Sequence, residues 1–226
     1  HANGWLVTRD SVAEQSRRSY GLDYGTDGNL GGWKWMNITQ MARVLQDLPH
    51  FDYIFADCCN MMCVEVGYEL RHATDYLIGS PAEIPAAGAP YQEIMPYLFQ
   101  KDEALYRGLI DTYYDYYINC YRYDPDLKGY SIPLSVIDTR QLEPLLQATH
   151  DILPSFMPQY PQTLDFTGLG MTYYLYYDAP VMYDMRSFMK TFVSAENFLQ
   201  WDMAYLRAVP YCRMSMRSRT RYDYLD

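Results

Sequence analysis

Apolar residues recur along this chain in two rhythms. Residues 37–48 (NITQMARVLQDL) place Ile38, Met41, Val44, Leu45 and Leu48 at helical spacing, with Asn37 or Thr39 as a cap. Residues 51–56 (FDYIFA) read as a short buried strand. Residues 61–72 return to helical spacing through Val64, Val66, Tyr68 and Leu70, and residues 75–80 (DYLIGS) read as a second buried strand. The order helix, strand, helix, strand predicts an α/β fold with a parallel sheet. Ligands bind such sheets at the carboxyl ends of the strands. Residues 57–59 and 79–83 are therefore expected to lie close in space.

The rest of the chain is less regular. After the loop PAEIPAAGAPY, residues 91–100 and 104–123 read as helices, 130–138 as a strand and 139–153 as a helix. Residues 154–180 are aromatic and irregular, and 184–195 and 197–208 read as further helices. The locally basic end, RMSMRSRTRYDYLD, offers no evident closing element. Residues 1–35 are rich in Gly, Asn and Asp without sustained period, and read as one long loop. No repeat, low-complexity tract or linker divides the chain, so one domain over residues 1–226 is expected.

Composition narrows the function. The 226 residues are 49% hydrophobic, enough for a sizeable core, and the net charge is −10. That balance argues against nucleic acid and anionic membrane surfaces, which need a basic patch, and permits attraction of cationic substrates. No run reaches the roughly 18–20 apolar residues of a membrane span. The 25 tyrosines suit half-buried helix surfaces and wet clefts. Five cysteines are too few for a small disulfide scaffold. The chain opens on His1, not Met, and reads as a mature, truncated or processed product.

Three of the cysteines, Cys58, Cys59 and Cys63, follow Asp57 directly after the first strand. Three chemistries compete there. A zinc or iron–sulfur site lacks a second ligand cluster, since Cys58 and Cys59 diverge and His72 lies too far along the helix. A Cys59–Cys63 disulfide needs an unusual turn, while a bridge from Cys58 to another cysteine remains open. Cys58 and Cys63 otherwise read as small buried apolar side chains. A nucleophilic Cys59 needs a lowered pKa, an imidazole and oxyanion donors. Its place between strand end and helix start is expected to supply the first. His50 precedes the strand at its wrong end, His72 ends the helix, and His150 lies in a late helix. His1, in the loop motif HANGW, is the remaining candidate. Asp57 reads either as a pocket acid or as a helix N-cap.

These motifs resemble the clostripain-like cysteine peptidases, which share the caspase-like fold. The resemblance is carried by HANGW at 1–5 and DCCNMMCVEVGYELR at 57–71. The second is similar to the family pattern Asp-Ala-Cys-Leu-Met-x-x-Val-Glu-Val-Ala-Tyr-Glu, with Gly67 where Ala is frequent. DYLIGSPAEIPAAGAPY at 75–91, SVIDTRQLEPL at 135–145 and YDMRSFMKTF at 183–192 also match, so the likeness runs to about residue 195. It implies a three-layer α/β/α sandwich with a mostly parallel central sheet. It also implies strands before the histidine, which this chain lacks, supplied by an upstream segment or a separate chain.

The resemblance further implies an endopeptidase cutting after Arg or Lys through an acyl-enzyme. Cys59 would be the nucleophile and His1 the acid/base. The oxyanion hole would use the Cys59 N–H and the backbone of Ala2, where the family commonly has Gly. Asp57 and Ser80 would bind substrate, with Asp57 facing the basic side chain. The substrates implied are peptides or proteins, in a secreted or cell-envelope setting. No cofactor is implied beyond calcium, for which the Asp/Asn/Gly loop at 23–31 is the candidate, although it lacks the EF-hand spacing. The competing reading is a catalytically inactive member that binds rather than cuts.

Family members are often zymogens cut at a basic residue between His and Cys. Arg17 and Arg18, in SRRSYG, are the expected site. Intact-mass analysis before and after incubation should show two fragments separated there as activity appears. One unnicked, fully active species would exclude this processing.

Overall fold

The computed structural model describes residues 2–4, 19–23, 34–156, 172–176, 179–214, 218–219 and 224–225, with side chains described over 36–155 and 182–214. Its centre is a four-stranded sheet in the order β4 (Phe51–Ala56), β5 (Thr74–Gly79), β6 (Leu134–Asp138) and β9 (Tyr211–Arg213). β4 and β5 run parallel, joined through α2 (Val64–Leu70). β6 runs antiparallel to β5 and β9 antiparallel to β6, so β4, β5 and β9 share one direction and the sheet is mixed, mostly but not wholly parallel.

Side chains alternate across this sheet because successive strand residues point to opposite faces. Ala56, Leu77 and Ile137 point to one face. There they meet α1 (Ile38–Gln46), α2, α5 (Leu142–Phe156), α6 (Met185–Phe192) and α7 (Ala195–Ala208). Tyr76, Ile78, Leu134 and Val136 point to the other face. They meet α3 (Tyr91–Ile94) and α4 (Asp102–Cys120). Helices therefore cover both faces, as the three-layer expectation requires. On the first face Trp201 is 1% exposed, and its indole N–H donates to Thr149 Oγ1 at 2.9 Å, tying α7 to α5. Arg186 grips Asp202 with both carboxylate oxygens, at 2.6 and 2.8 Å, tying α6 to α7.

Several boundaries and elements differ from the sequence reading. Residues 1–35 are not one loop: β1 (Ala2–Gly4), β2 (Ser19–Asp23) and β3 (Lys34–Asn37) form an antiparallel three-stranded sheet. Residues 154–180 hold β7 (Thr172–Tyr176), which pairs with β8 (Ala179–Tyr183). The basic end does close an element: β9 pairs with β6, and β10 (Ser218–Arg219) pairs with β11 (Tyr224–Leu225). The helix expected at 91–100 ends at Ile94, and the one at 61–72 starts only at Val64. Asn37, not Thr39, caps α1, accepting from the Thr39 N–H at 2.9 Å.

Gly108 in α4 lies directly under the Tyr97 ring. A Cβ added there would come within 2.0 Å of Tyr97 Cδ1 and 2.5 Å of its Cγ. Alanine is the better helix former, but the ring root cannot yield by that distance without moving the turn after α3. Gly108→Ala should therefore lower stability by about 1–3 kcal/mol in urea unfolding. A gain in stability would show that Tyr97 is loosely held.

Candidate active site

The chain leaves β4 at Ala56 and crosses to α2 through seven residues without regular structure, 57–63. This segment is laced to the one that follows β5. Met62 N–H donates to Ser80 O at 3.1 Å and Asn60 N–H to Ala82 O at 3.0 Å. Met61 is fully buried and Cys58 and Met62 are 8% exposed, all three in the first-face core. Those anchors set the path of the residue between them. Asn60 takes φ +58°, a left-handed conformation that Asn tolerates better than most residues. Its side-chain oxygen is buried without a hydrogen-bond partner among the described residues.

Cys59 is half-buried at the carboxyl end of the parallel pair. Its sulfur receives the Ile84 N–H at 3.4 Å and lies 3.9 Å from the Ile84 carbonyl. The two strand ends thus do meet, through residues 59 and 84. Burial raises the Cys59 thiol pKa above its ordinary value, and the Ile84 N–H works against that rise by favouring thiolate. The expected lowering by a helix start is corrected here: α2 begins five residues later, beyond the reach of a terminal dipole. Cys58 is pushed up to about 12, chiefly by burial and then by its neighbours Cys59 and Asp57.

Asp57 is not the N-cap of α2, whose cap position is Cys63. Its carboxylate turns to the opposite layer. Oδ2 accepts from the Ala89 N–H at 2.9 Å and the Tyr91 hydroxyl at 3.0 Å, and Oδ1 accepts from the Tyr113 hydroxyl at 3.1 Å. Tyr117, one turn along α4, donates to Gly88 O at 2.7 Å. Gly88 has φ +70°, and a Cβ there would fall 2.6 Å from Asp57 Oδ2. Glycine is thus required twice over, for the conformation and for the close approach. Among the described residues Asp57 has no ion-pair partner. Among those residues its carboxylate is held by three neutral donors.

Ser80 is 1% exposed, and its hydroxyl accepts from the Ala82 N–H at 3.1 Å. It shapes the turn that carries Ile84. His50 sits at the amino end of β4, bonded to Asp75 at 3.0 Å, while His72 and His150 are exposed. Ala2 starts β1. His1, Arg17, Arg18 and residues 24–31 of the candidate calcium loop lie outside the described residues. Among the described residues no three His, Cys, Asp or Glu side chains are grouped to hold a metal, and no disulfide joins any of the five cysteines. Sequence reasoning missed Ile84, Asn60 and the tyrosines around Asp57. The GAPY turn and the i, i+4 pair Tyr113 and Tyr117 were the available signals.

With this geometry in hand, comparison with known proteins is informative. The sequence profile of the Clostripain family matches residues 1–206. A cysteine protease of B. fragilis superposes with a TM-score of 0.74 at 32% identity, over 88% of this chain and 81% of that one. A secreted C11 cysteine protease from Bacteroides thetaiotaomicron, in complex with an irreversible peptide inhibitor, gives 0.73 at 27% identity, over 98% of this chain but only 58% of its own. A clostripain from Bacteroides thetaiotaomicron, in complex with the peptide inhibitor BTN-VLTK-AOMK, gives 0.66 at 26%, over 89% and 83%. No curated protein matches. A half-buried thiol and an uncompensated carboxylate at one rim of a mixed, helix-covered sheet accord with that profile, and the chain belongs to the clostripain family of cysteine proteases.

Proposed function

We propose that this chain is a cysteine endopeptidase that cuts after Lys or Arg through an acyl-enzyme. The observation that carries the reading is the pairing of Cys59, at the strand-end rim, with Asp57 two residues earlier, a carboxylate whose charge meets no cation among the described residues. A basic side chain would supply that cation. The inhibitor of one structural neighbour carries the tetrapeptide VLTK, which ends in lysine.

In this mechanism the Cys59 sulfur attacks the scissile carbonyl. Because burial raises its pKa, the thiol must pass its proton to a base as it attacks. His1 is that base. The tetrahedral oxyanion is received by the N–H groups of Cys59 and Ala2. The imidazolium then protonates the leaving amine, which departs and leaves a thioester on Cys59. Water, deprotonated by the same imidazole, hydrolyses the thioester and regenerates the thiol. Ser80 acts through the turn it shapes, and Arg17 or Arg18 is where processing would cut.

β4 is the outermost strand of its sheet among the described residues. An uncovered edge presents unpaired N–H and C=O groups. Further strands, from an upstream segment of the same protein or a separate chain, are proposed to pair there. No described helix is long and apolar enough to cross a membrane. A secreted or cell-envelope enzyme is proposed, in line with the secreted neighbour.

Two measurements test this. Fluorogenic peptides with Lys or Arg before the scissile bond should be turned over by the processed protein, and peptides with Ala or Asp there much less. Cys59→Ala should lose at least roughly 10⁴-fold in kcat, while Cys58→Ala changes it little. Equal loss in both variants, or no turnover at all, favours the inactive binding protein. Peptide mapping after iodoacetamide gives the second. At pH 8 a thiol of pKa about 12 is thiolate in roughly one part in ten thousand, so Cys58 should stay unlabelled while Cys59 is alkylated. Labelling of Cys58 first would contradict the geometry.

A further inference from the structure

The donors around Asp57 are unevenly shared between its two oxygens. A carboxylate offers about four lone-pair sites, two on each oxygen. Oδ2 already receives two donors, the Ala89 N–H and the Tyr91 hydroxyl. Oδ1 receives one, the Tyr113 hydroxyl. Among the described residues one site therefore stays open, and it is on Oδ1.

That count separates the two basic side chains. A guanidinium binds a carboxylate best as a fork, with parallel N–H bonds to both oxygens. Here the fork finds Oδ2 full. It must bind through one N–H, or displace the Tyr91 hydroxyl. An ammonium is a compact point charge that needs a single site. It can take the open position on Oδ1 while every existing bond stays in place.

We propose that this site selects lysine over arginine at the residue before the scissile bond, and that Tyr91 is the positioning residue that sets the choice. The inference rests on the assignment of Asp57 as the acid that receives the basic side chain. Tyr91 acts by filling the second site on Oδ2. Its hydroxyl is on the exposed side of the carboxylate, whereas the Tyr113 ring is fully buried. Tyr113 acts on the other oxygen, so removing its hydroxyl leaves Oδ2 as full as before. The two tyrosines supply the same kind of bond but have different consequences for a fork.

The test compares matched Lys and Arg peptides on the processed full chain as kcat/KM. It also measures their binding to the Cys59→Ala variant by fluorescence polarisation. The unaltered enzyme should favour Lys. Tyr91→Phe frees the second site and should raise the Arg-to-Lys ratio by roughly tenfold, the worth of one added hydrogen bond to a charged group. Tyr113→Phe, which opens no site on Oδ2, should leave that ratio within about twofold. A general loss of folding would lower both peptides together and leave the ratio unmoved, so the ratio reads the site and not stability. An unaltered enzyme that favours Arg, a Tyr91→Phe ratio equal to the unaltered one, or equal rises in both tyrosine variants would overturn the proposal. Lys-selective binding without turnover would instead defeat the peptidase reading and leave this one standing.

Discussion

The fixed charge of Asp57 is the constraint around which the site is arranged. A half-buried carboxylate that meets no cation among the described residues must find hydrogen bonds or lose much in hydration. It finds three, from the turn after residue 85, from α3 and from α4. Those bonds fasten the end of β4 to the second-face layer. On the first face, Cys58, Met61 and Met62 pack into the core that α1, α2, α5, α6 and α7 share. The seven residues from Asp57 to Cys63 are thus pulled toward both layers at once. Cys59 is held between these pulls, at the rim where it meets Ile84.

The chemistry follows from that suspension. Burial that raises the pKa of the Cys59 thiol slows its reaction, because the thiolate is the reactive form. In the proposed mechanism it becomes a nucleophile only when a base takes its proton. The Ile84 N–H leans the balance slightly toward thiolate without tipping it. Control of reactivity then rests with whatever brings an imidazole alongside.

Much of the central fold was legible because its signals are local. The run FDYIFA is β4 to the residue, and the alternation of sides along YLIG and VID reports two covered faces. What escaped the sequence is pairing that only distance in space decides. β9 is three residues long and owes its existence to β6, some 75 positions earlier, reinforced by Arg213 bonding Asp111 and Asp115 on α4 at 3.0 and 2.7 Å. The sheet of β1 to β3 is similar, with short strands separated by residues 5–18 and 24–33, which carry no sustained period, the second stretch rich in glycine. The site divides the same way. Asp57 and Cys59 stand in one motif and could be read together. Tyr91 and Tyr113 lie 34 and 56 residues away, and in a chain with 25 tyrosines nothing local marks them out.

Gly88 carries a consequence for how this enzyme can change. The turn it sits in is tied to Asp57 through a main-chain N–H and to Tyr117 through a main-chain carbonyl. Neither tie uses the side chains of Ala86 and Ala87, which are exposed, whereas Ala89 is packed in the second-face core. The backbone there behaves as a fixed frame on which those two exposed side chains are interchangeable. The exposed part of this turn can change over generations while the Asp57 carboxylate beneath it stays put.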